Sequence, residues 1–337
     1  MLLRVNLFIA WRSEMNSLKT QSRISVLAIL TLTLLIACTK KENDASTGAK
    51  LVGFSQIGAE SAWRSAETKS IRDEAKKRGI DLRFSDAQQK QENQIKAIRA
   101  FILQKVSAII LAPVVETGWE PVLREAKAAG IPVILVDRNI KTDDDSLYTT
   151  LIASDFVEEG RKAANWLATK TNGKANIVEL QGTAGAAPAN DRKNGFAEGI
   201  KSHPDMKIIK SQTGEFTRAK GKEVMEAFIK SDGKNIQAVY SHNDDMALGA
   251  IQAIEEAGLQ PGKDILVVSI DGVKEAFQAM ADGKLNATVE CNPLLGPEAF
   301  DAVNSALEKK TLSKKTIIQD KVFDSASAKD FIGSRQY

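Results

Sequence analysis

From about residue 50 onward, short apolar runs alternate with segments of helical periodicity, and this alternation constrains the fold more than any other feature of the sequence. The run IPVILVDR at 131–138 is nearly continuous in apolar residues, as in strands buried on both faces of a parallel sheet. After Gln91, residues Ile95, Ile98 and Ile102 recur on one helical face. The alternation predicts strands at 51–57, 80–86, 106–113, 131–138, 176–181, 207–211, 236–242 and 264–271, and helices at 62–77, from 91, at 119–129, 191–201, 217–230, 245–257 and 273–282. Strands and helices in this order indicate parallel sheets with covered faces.

The number of predicted strands exceeds what one modest sheet needs, and a chain of 337 residues is long enough for two cores. We therefore predict an α/β protein with two doubly wound lobes and a seam near 151–155. Ligands of such sheets bind beyond the carboxyl ends of the strands, so the residues after each strand are the candidate site.

Charged, amide and aromatic side chains follow the predicted strand ends. The set comprises 56–64, Asp86, Pro113, Asp137, Arg138, 181–192, Phe216, Asn243, Asp244 and Asp271. Carboxylates and guanidinium groups satisfy hydroxyls that both donate and accept, and aromatic rings cover the C–H faces of a sugar. The set thus favours a neutral, polyhydroxylated ligand, although Asp137–Arg138 alone also fits a surface salt bridge, and Trp63 fits a core position equally well.

Other kinds of site have weak support. Gly182 and Gly185 lie in a loop that lacks the P-loop and dinucleotide patterns, so we interpret them as tight-turn residues. The chain has two histidines and two cysteines, without ligand spacing, so we expect no metal and no cofactor. We interpret His242 as a hydrogen-bonded structural residue, since no nucleophile lies beside it in the sequence.

The first fifty residues predict export and a lipid anchor. The apolar run at 24–37 follows Lys19 and Arg23 and is too short to span a bilayer comfortably, which is typical of a signal peptide. It ends in LIAC, which resembles a lipobox, so we predict a signal peptide at 1–37 and a lipidated tether at 38–49, with Cys38 as the acylated residue. A plain cysteine beside an ordinary cleavage site is the alternative, and Met15 is an alternative start.

The excess of basic over acidic residues in the chain comes from this leader. Residues 1–37 hold four basic residues and one acidic residue, from totals of 46 and 43, so the remainder is balanced. Without long basic runs, we expect no nucleic-acid partner.

From about residue 50 to the end, the chain resembles the ribose/galactose type of periplasmic sugar-binding proteins, the ligand receptors of ABC transporters. The resemblance is carried by VGFSQIGAESAWRSAE at 52–67, LAPVVETGWEPVL at 111–123, VDRNI at 136–140, DRKNGFAEGI at 191–200 and SHNDDMALGAIQAI at 241–254. The first, second and fourth of these are most similar to the members that bind galactofuranose. The resemblance implies that the ligand is galactofuranose or a related monosaccharide and that a membrane permease is the partner, and we expect a monomer. The lipobox departs from the soluble periplasmic members of this family, so the lipid anchor is expected from Cys38 alone and not from the resemblance.

The resemblance also implies a type I periplasmic binding protein with two lobes joined by a three-strand hinge. Its predicted lobes are 50–153 plus 292–322 and 154–291 plus 323–337. The implied sugar contacts are Trp63, Arg64, Asp137, Arg138, Arg192, Phe216, Asn243 and Asp271. Arg192 is expected to open a helix, and Arg64 is expected to help select the ring form, because ribose-binding members carry an aromatic residue there. Cys291 departs from the polar residue of those members, so we assign it no sugar contact.

Three alternatives keep the same core. A sugar-responsive repressor would begin with a basic helix-turn-helix, whereas residues 1–49 hold the apolar run and the lipobox. An exported enzyme acting on a sugar would use facing carboxylates and would convert its ligand. A sugar-responsive signalling receptor is the third. We expect binding without catalysis, in the periplasm or at the cell exterior.

Overall fold

The computed structural model describes residues 50–337, so the predicted signal peptide and Cys38 lie outside the described residues. The strands are β1 Leu51–Gln56, β2 Asp81–Asp86, β3 Ala108–Leu111, β4 Val133–Val136, β5 Thr150–Ser154, β6 Lys174–Gln181, β7 Asp205–Thr213, β8 Ala238–Ser241, β9 Leu266–Asp271, β10 Ala287–Glu290, β11 Lys315–Ile318 and β12 Val322–Asp324. The helices are α1 Ala62–Lys77, α2 Gln91–Leu103, α3 Glu120–Ala128, α4 Phe156–Lys170, α5 Ala187–Ile200, α6 Arg218–Asp232, α7 Asp244–Glu256, α8 Lys274–Ala281, α9 Gly296–Leu307 and α10 Ala328–Phe331.

The strands form two six-stranded sheets, and each sheet is the centre of one lobe. The first lobe has the order β11-β5-β4-β3-β1-β2, and all of its strand pairs are parallel. The second lobe has the order β12-β10-β9-β8-β6-β7, in which only β12 runs antiparallel to its neighbour. The predicted fold class of two parallel-sheet α/β lobes is therefore confirmed.

The chain passes between the sheets three times. It leaves the first sheet after β5, returns after β10, and crosses again between β11 and β12. Helix α9 belongs to the first lobe, where the N–H of Gly296 donates to the hydroxyl of Ser70 on α1 at 3.0 Å. A Cβ at Gly296 would lie 2.3 Å from the Ser70 carbonyl oxygen, so only glycine allows this approach.

The central strands of the first sheet are buried, and side-chain caps fix the start of the helices that follow two of the strands. Every residue of β3 and β4 is buried, as expected where helices cover both faces of a parallel sheet. Helix α1 is capped by Ser61, whose hydroxyl accepts from the N–H of Arg64 at 3.1 Å. Helix α7 is capped by Asn243, whose side-chain oxygen accepts from the N–H of Met246 at 3.0 Å. Ser61 lies in the connection that follows β1 and Asn243 in the one that follows β8, and each cap fixes where its helix begins. None of the helices between residues 50 and 337 is long and apolar enough to cross a membrane.

Candidate ligand-binding site

A cavity lies between the two lobes at the carboxyl ends of both sheets. The first lobe lines it with Glu60, Ser61, Trp63, Arg64, Asp137 and Arg138, and the second with Pro188, Arg192, Phe216, Asn243, Asp271 and Cys291. All eight side chains that the resemblance implied as sugar contacts are therefore brought together around one cavity. Their role in binding stays a prediction.

Three of these eight residues have backbone conformations that L-amino acids rarely adopt. The φ angles of Asp137, Phe216 and Asp271 are 60°, 62° and 133°. Such conformations cost on the order of 1–3 kcal/mol each and persist only where the surrounding structure enforces them, commonly at ligand sites. The backbone at these strand ends is thus shaped to aim side chains into the cavity.

Arg64 is the centre of a buried ion cluster in the first lobe. Its Nε donates to Glu60 at 3.0 Å, its Nη2 donates to Asp137 at 2.6 Å, and its Nη1 donates to Glu67. Burial alone disfavours the charge of Arg64, but Asp137 and Glu67 outweigh that cost and raise its pKa well above the usual value. Arg64 therefore stays charged and holds three carboxylates in fixed positions.

Glu67 supports this cluster from behind the cavity. It is fully buried, and its Oε2 also accepts from the side chain of Gln56 at 3.0 Å. Burial raises the pKa of Glu67 to about 7, although Arg64 opposes the shift.

Arg138 presents donors to the cavity. Its Nη1 donates to the Val114 carbonyl at 2.9 Å, while its Nε has no hydrogen-bond partner within residues 50–337 and lies 3.6 Å from Asp137. Burial and the neighbouring Arg64 lower the pKa of Arg138 to about 10, so it remains a cation at neutral pH. An unpartnered, buried guanidinium N–H costs free energy unless a ligand oxygen accepts from it.

The second lobe contributes a similar arrangement around Arg192. Its Nε donates to Glu159 at 2.7 Å and its Nη1 to the His242 carbonyl at 2.6 Å, while Nη2 lies 3.7 Å from Asp271. Burial opposes the charge of Arg192, but Glu159 raises its pKa above the usual value. Burial raises the pKa of Asp271 well above its ordinary range, although Arg192 opposes the shift.

Two aromatic side chains form apolar walls from opposite lobes. Trp63 is buried, and its Nε1 donates across the cleft to the Cys291 carbonyl at 2.6 Å. Phe216 lies in the second lobe, and the guanidinium of Arg138 lies 5.2 Å from its ring centroid.

The Phe216 ring also explains why residue 182 is a glycine, because an added Cβ would lie 1.9 Å from the ring. Gly182 is therefore a close-approach residue and the tight-turn interpretation was wrong for it, whereas Gly185 has a φ of 79° and fits that interpretation.

Asn243 stabilises the backbone of Phe216. Its side-chain nitrogen donates to the Phe216 carbonyl at 3.1 Å, while its oxygen caps α7. Asn243 thus stabilises the positive φ of Phe216 in addition to lining the cavity.

The charges of the cavity wall balance. The lining residues include three arginines and three carboxylate residues, so their formal charges cancel. One carboxylate oxygen, Glu60 Oε2, is buried without a hydrogen-bond partner among the described residues, as is Arg138 Nε. A ligand that both donates and accepts hydrogen bonds, and carries no net charge, satisfies this wall better than a phosphate or a carboxylate does.

Sequence reasoning missed several residues that line the cavity or support its lining. It did not single out Glu60, Ser61 or Pro188 among the residues after the strands, although all three lie within the ranges considered. Glu67 and Glu159 could not have been found from strand ends, because both lie inside helices and reach the site through Arg64 and Arg192. The only available signal was the spacing of Arg64 and Glu67, which are three positions apart and therefore lie on the same face of a helix.

Arg192 does not open its helix, because α5 begins at Ala187 and contains Pro188 in its first turn. Proline is tolerated there, since its missing N–H would have no partner within the helix.

His242 is structural, as predicted. It is fully buried, its Nδ1 accepts from the N–H of Gly182 at 3.3 Å, and its Nε2 lies 3.1 Å from Glu179. Burial lowers the pKa of His242. No group of three potential ligand residues suited to a metal ion occurs within the part of the chain that the structure describes.

Comparison with known proteins places this architecture in context. The model of the periplasmic binding protein domain family matches residues 52–311. The galactofuranose-binding protein YtfQ of Escherichia coli K12 is 59% identical over 275 residues, which is 79% of this chain and 86% of that protein.

Two solved structures are also similar. The periplasmic binding protein of the arabinose ABC transporter from Shewanella sp. ANA-3, bound to α- and β-L-arabinofuranose, is 60% identical with a TM-score of 0.83 and covers 85% of this chain and 95% of its own. A protein from Mycobacterium smegmatis in complex with β-D-fucofuranose is 52% identical with a TM-score of 0.84, covering 86% of this chain and 96% of its own.

Proposed function

The chain belongs to the periplasmic binding protein family, and we propose that it is an extracytoplasmic receptor that binds a monosaccharide in its furanose form between the two lobes. In this proposal the receptor delivers the sugar to the permease of an ABC transporter. Galactofuranose is the proposed ligand, with arabinofuranose as the nearest alternative. The similarity to the galactofuranose-binding protein and to the arabinofuranose complex supports this choice.

The observation that carries the proposal is the lining of the cavity. Three arginines and three carboxylates balance one another around two aromatic walls, with buried polar atoms of Glu60 and Arg138 left unpartnered among the described residues. Hydroxyl groups of a neutral sugar would donate to the former and accept from the latter. We propose that all eight residues predicted from sequence contact the sugar.

The ring form can be tested directly. The mature chain is mixed with galactose labelled with ¹³C at the anomeric carbon, and the NMR spectrum of the bound sugar is compared with those of the free furanose and pyranose forms. We expect only furanose signals in the complex, and a rise in thermal stability with sugar concentration, because a ligand that binds the native state stabilises it. Bound pyranose signals would contradict the proposal.

We propose that the protein binds without catalysis and closes by rotation about the three passages between the sheets, with the lobes divided at 153, 291 and 322. A ligand with better contacts in the closed form shifts the population toward it. Small-angle scattering should show a smaller radius of gyration on adding the sugar. The sugar should be recovered unchanged, whereas a new product would favour the exported enzyme.

We further propose that Cys38 carries the lipid that anchors a monomeric receptor to the membrane. A diacylated and N-acylated cysteine has enough acyl chains for stable anchoring. Metabolic labelling with palmitate should label the wild type and not Cys38→Ala. Label retained in the variant would show that the lipid is elsewhere.

A further inference from the structure

A hydrogen bond joins the two lobes beside the cavity without lining it. Asp245 lies in the first turn of α7 in the second lobe, and its Oδ2 accepts from the backbone N–H of Ala62 at 2.8 Å. Ala62 is the first residue of α1 in the first lobe. Neither residue is among those that line the cavity, although Ser61 and Trp63 on either side of Ala62 are.

This contact has the chemistry of a strong hydrogen bond. The first N–H groups of a helix have no partner within the helix, and the helix dipole makes this end positive. A carboxylate supplied from outside satisfies the N–H and is attracted to the helix end. Asp245 is 5% exposed, so solvent screens this attraction only weakly.

The acceptor is already fixed within the second lobe. The other oxygen of Asp245, Oδ1, accepts from Arg218 at 3.2 Å and 3.0 Å, and Arg218 also pairs with Glu275 at 2.7 Å. These partners belong to α6 and α8 of the same lobe. The carboxylate therefore needs little further ordering when the lobes meet, and the free-energy gain is realised only on closure.

We propose that Asp245 and the N–H of Ala62 form a closure latch that sets the affinity of the receptor without contacting the ligand. This inference rests on the proposed function, since it concerns how tightly the cleft holds a sugar. The donor and the acceptor belong to different lobes, so the latch exists only in the closed form. A larger closed fraction lowers the apparent Kd of every ligand by the same factor. The latch thus controls affinity and leaves the ranking of sugars unchanged.

Ala62→Pro removes the donor and leaves Asp245 intact. Proline is well accepted at the first position of a helix, and Ser61 before it has the extended conformation, φ −145° and ψ 162°, that proline requires of its predecessor. The ring also occupies the place where the carboxylate approaches. Ala62→Ser keeps the N–H and is the matched control.

The expected result for Ala62→Pro is a loss of affinity of roughly tenfold or more, since hydrogen bonds to charged groups are among the stronger ones. Calorimetry should give the same factor for each sugar that binds, with the ranking unchanged. Urea unfolding of the unliganded variant should match that of wild type, which a merely structural role of this position would not predict.

A double-mutant cycle with Asp245→Ala completes the test. In that background Ala62→Pro should add little, because its partner is already absent. Glu255→Gln, which removes a surface ion pair with Lys284 at 2.8 Å near the other end of α7, should bind as wild type does. Wild-type affinity in Ala62→Pro, or an equal loss in both backgrounds, would overturn the latch. A wild-type chain that binds no sugar would instead refute the proposed function, and with it a latch linked to ligand.

Discussion

Replacement of Arg64 tests the buried ion cluster of the first lobe. Arg64→Phe removes the guanidinium that donates to Glu60, Glu67 and Asp137, and supplies a ring without donors. The side chains of these three carboxylates are at most 5% exposed, so water cannot replace the lost cation. The variant therefore leaves buried carboxylates without their partner.

The expected cost follows from that burial. Removing one partner of a buried ion pair typically costs about 3–5 kcal/mol, because the remaining charge is left uncompensated. A domain is stabilised by only about 5–15 kcal/mol in total. Arg64→Phe should thus lose a large share of the free energy of unfolding, and it cannot by itself test whether Arg64 selects the ring form of the sugar.

The cost should also depend on pH. Burial raises the pKa of Glu67 to about 7, against an ordinary value of 4.5, even with Arg64 present. A carboxyl group whose pKa is higher in the folded state favours folding below its unfolded pKa, and this contribution is lost as pH rises through the folded pKa. Loss of Arg64 raises the pKa of Glu67 further. The difference in stability between wild type and variant should therefore be smaller at pH 5 than at pH 8.

Urea unfolding at both pH values measures this difference, with the slope of the transition used to check that unfolding stays two-state. Arg99→Ala is the control, because Arg99 pairs with Glu125 at 2.7 Å on the surface, where both side chains are more than 40% exposed. It should cost at most about 1 kcal/mol. A loss in Arg64→Phe no larger than in the control, or a loss that grows toward low pH, would refute the reasoning.

Three further predictions concern the cavity and the turn that follows Asp271. Asp137→Ala or Arg138→Ala should weaken sugar binding by roughly 30-fold or more, because removing one partner of a desolvated charged hydrogen bond costs about 2–5 kcal/mol; unchanged calorimetric affinity in both would exclude them from the site. Gly182→Ala should displace the ring of Phe216, which lies 1.9 Å from the added Cβ, and weaken binding; wild-type affinity would show that the ring is not a wall of the site. Arg335→Gln should loosen the turn after β9, whose Gly272 carbonyl accepts from Arg335 at 2.9 Å and 2.6 Å, and faster amide exchange there would be the measurement, with unchanged exchange as the contrary result.

The site residues could be predicted because of the parallel topology. The carboxyl ends of parallel strands meet at one edge of a sheet, so Asp137 after β4 and Asp271 at the end of β9 could be assigned to an edge without knowing any distance. The resemblance then selected eight residues, and the structure brings all eight to one cavity. Their backbone conformations could not be predicted, because a positive φ at Asp137 or Phe216 depends on the surrounding contacts and not on residue type.

The elements that escaped the pattern lie mainly where the chain passes between the sheets. Strands β5, TLIAS, and β10, ATVE, are short and mix polar with apolar residues, so neither has the continuous apolar run that marked β4. The proposed latch could not be predicted from the sequence either. Asp245 follows Asn243 and Asp244 at the start of a helix, where acidic residues commonly favour the helix dipole, so its contact with the other lobe has no signature in the sequence.

Different residues fix the cavity-facing groups within each lobe and join the two lobes to each other. Arg64 pairs with Asp137 inside the first lobe, and Arg192 lies beside Asp271 inside the second, so each lobe fixes its own ligand-facing groups before the lobes meet. Other groups join the two lobes to each other. Asp245 of the second lobe accepts from the N–H of Ala62 of the first. Glu116 of the first lobe accepts from Asn190 at 2.6 Å and donates its N–H to the Gly185 carbonyl at 2.9 Å, both in the second lobe. On the proposed function, we expect changes in the first set to alter which sugar fits, and changes in the second to alter how tightly the closed form is held. Trp63 belongs to both sets, because its ring lines the cavity while its Nε1 donates to the Cys291 carbonyl of the opposite lobe. At this residue we therefore expect contact with the sugar and closure of the lobes to be coupled.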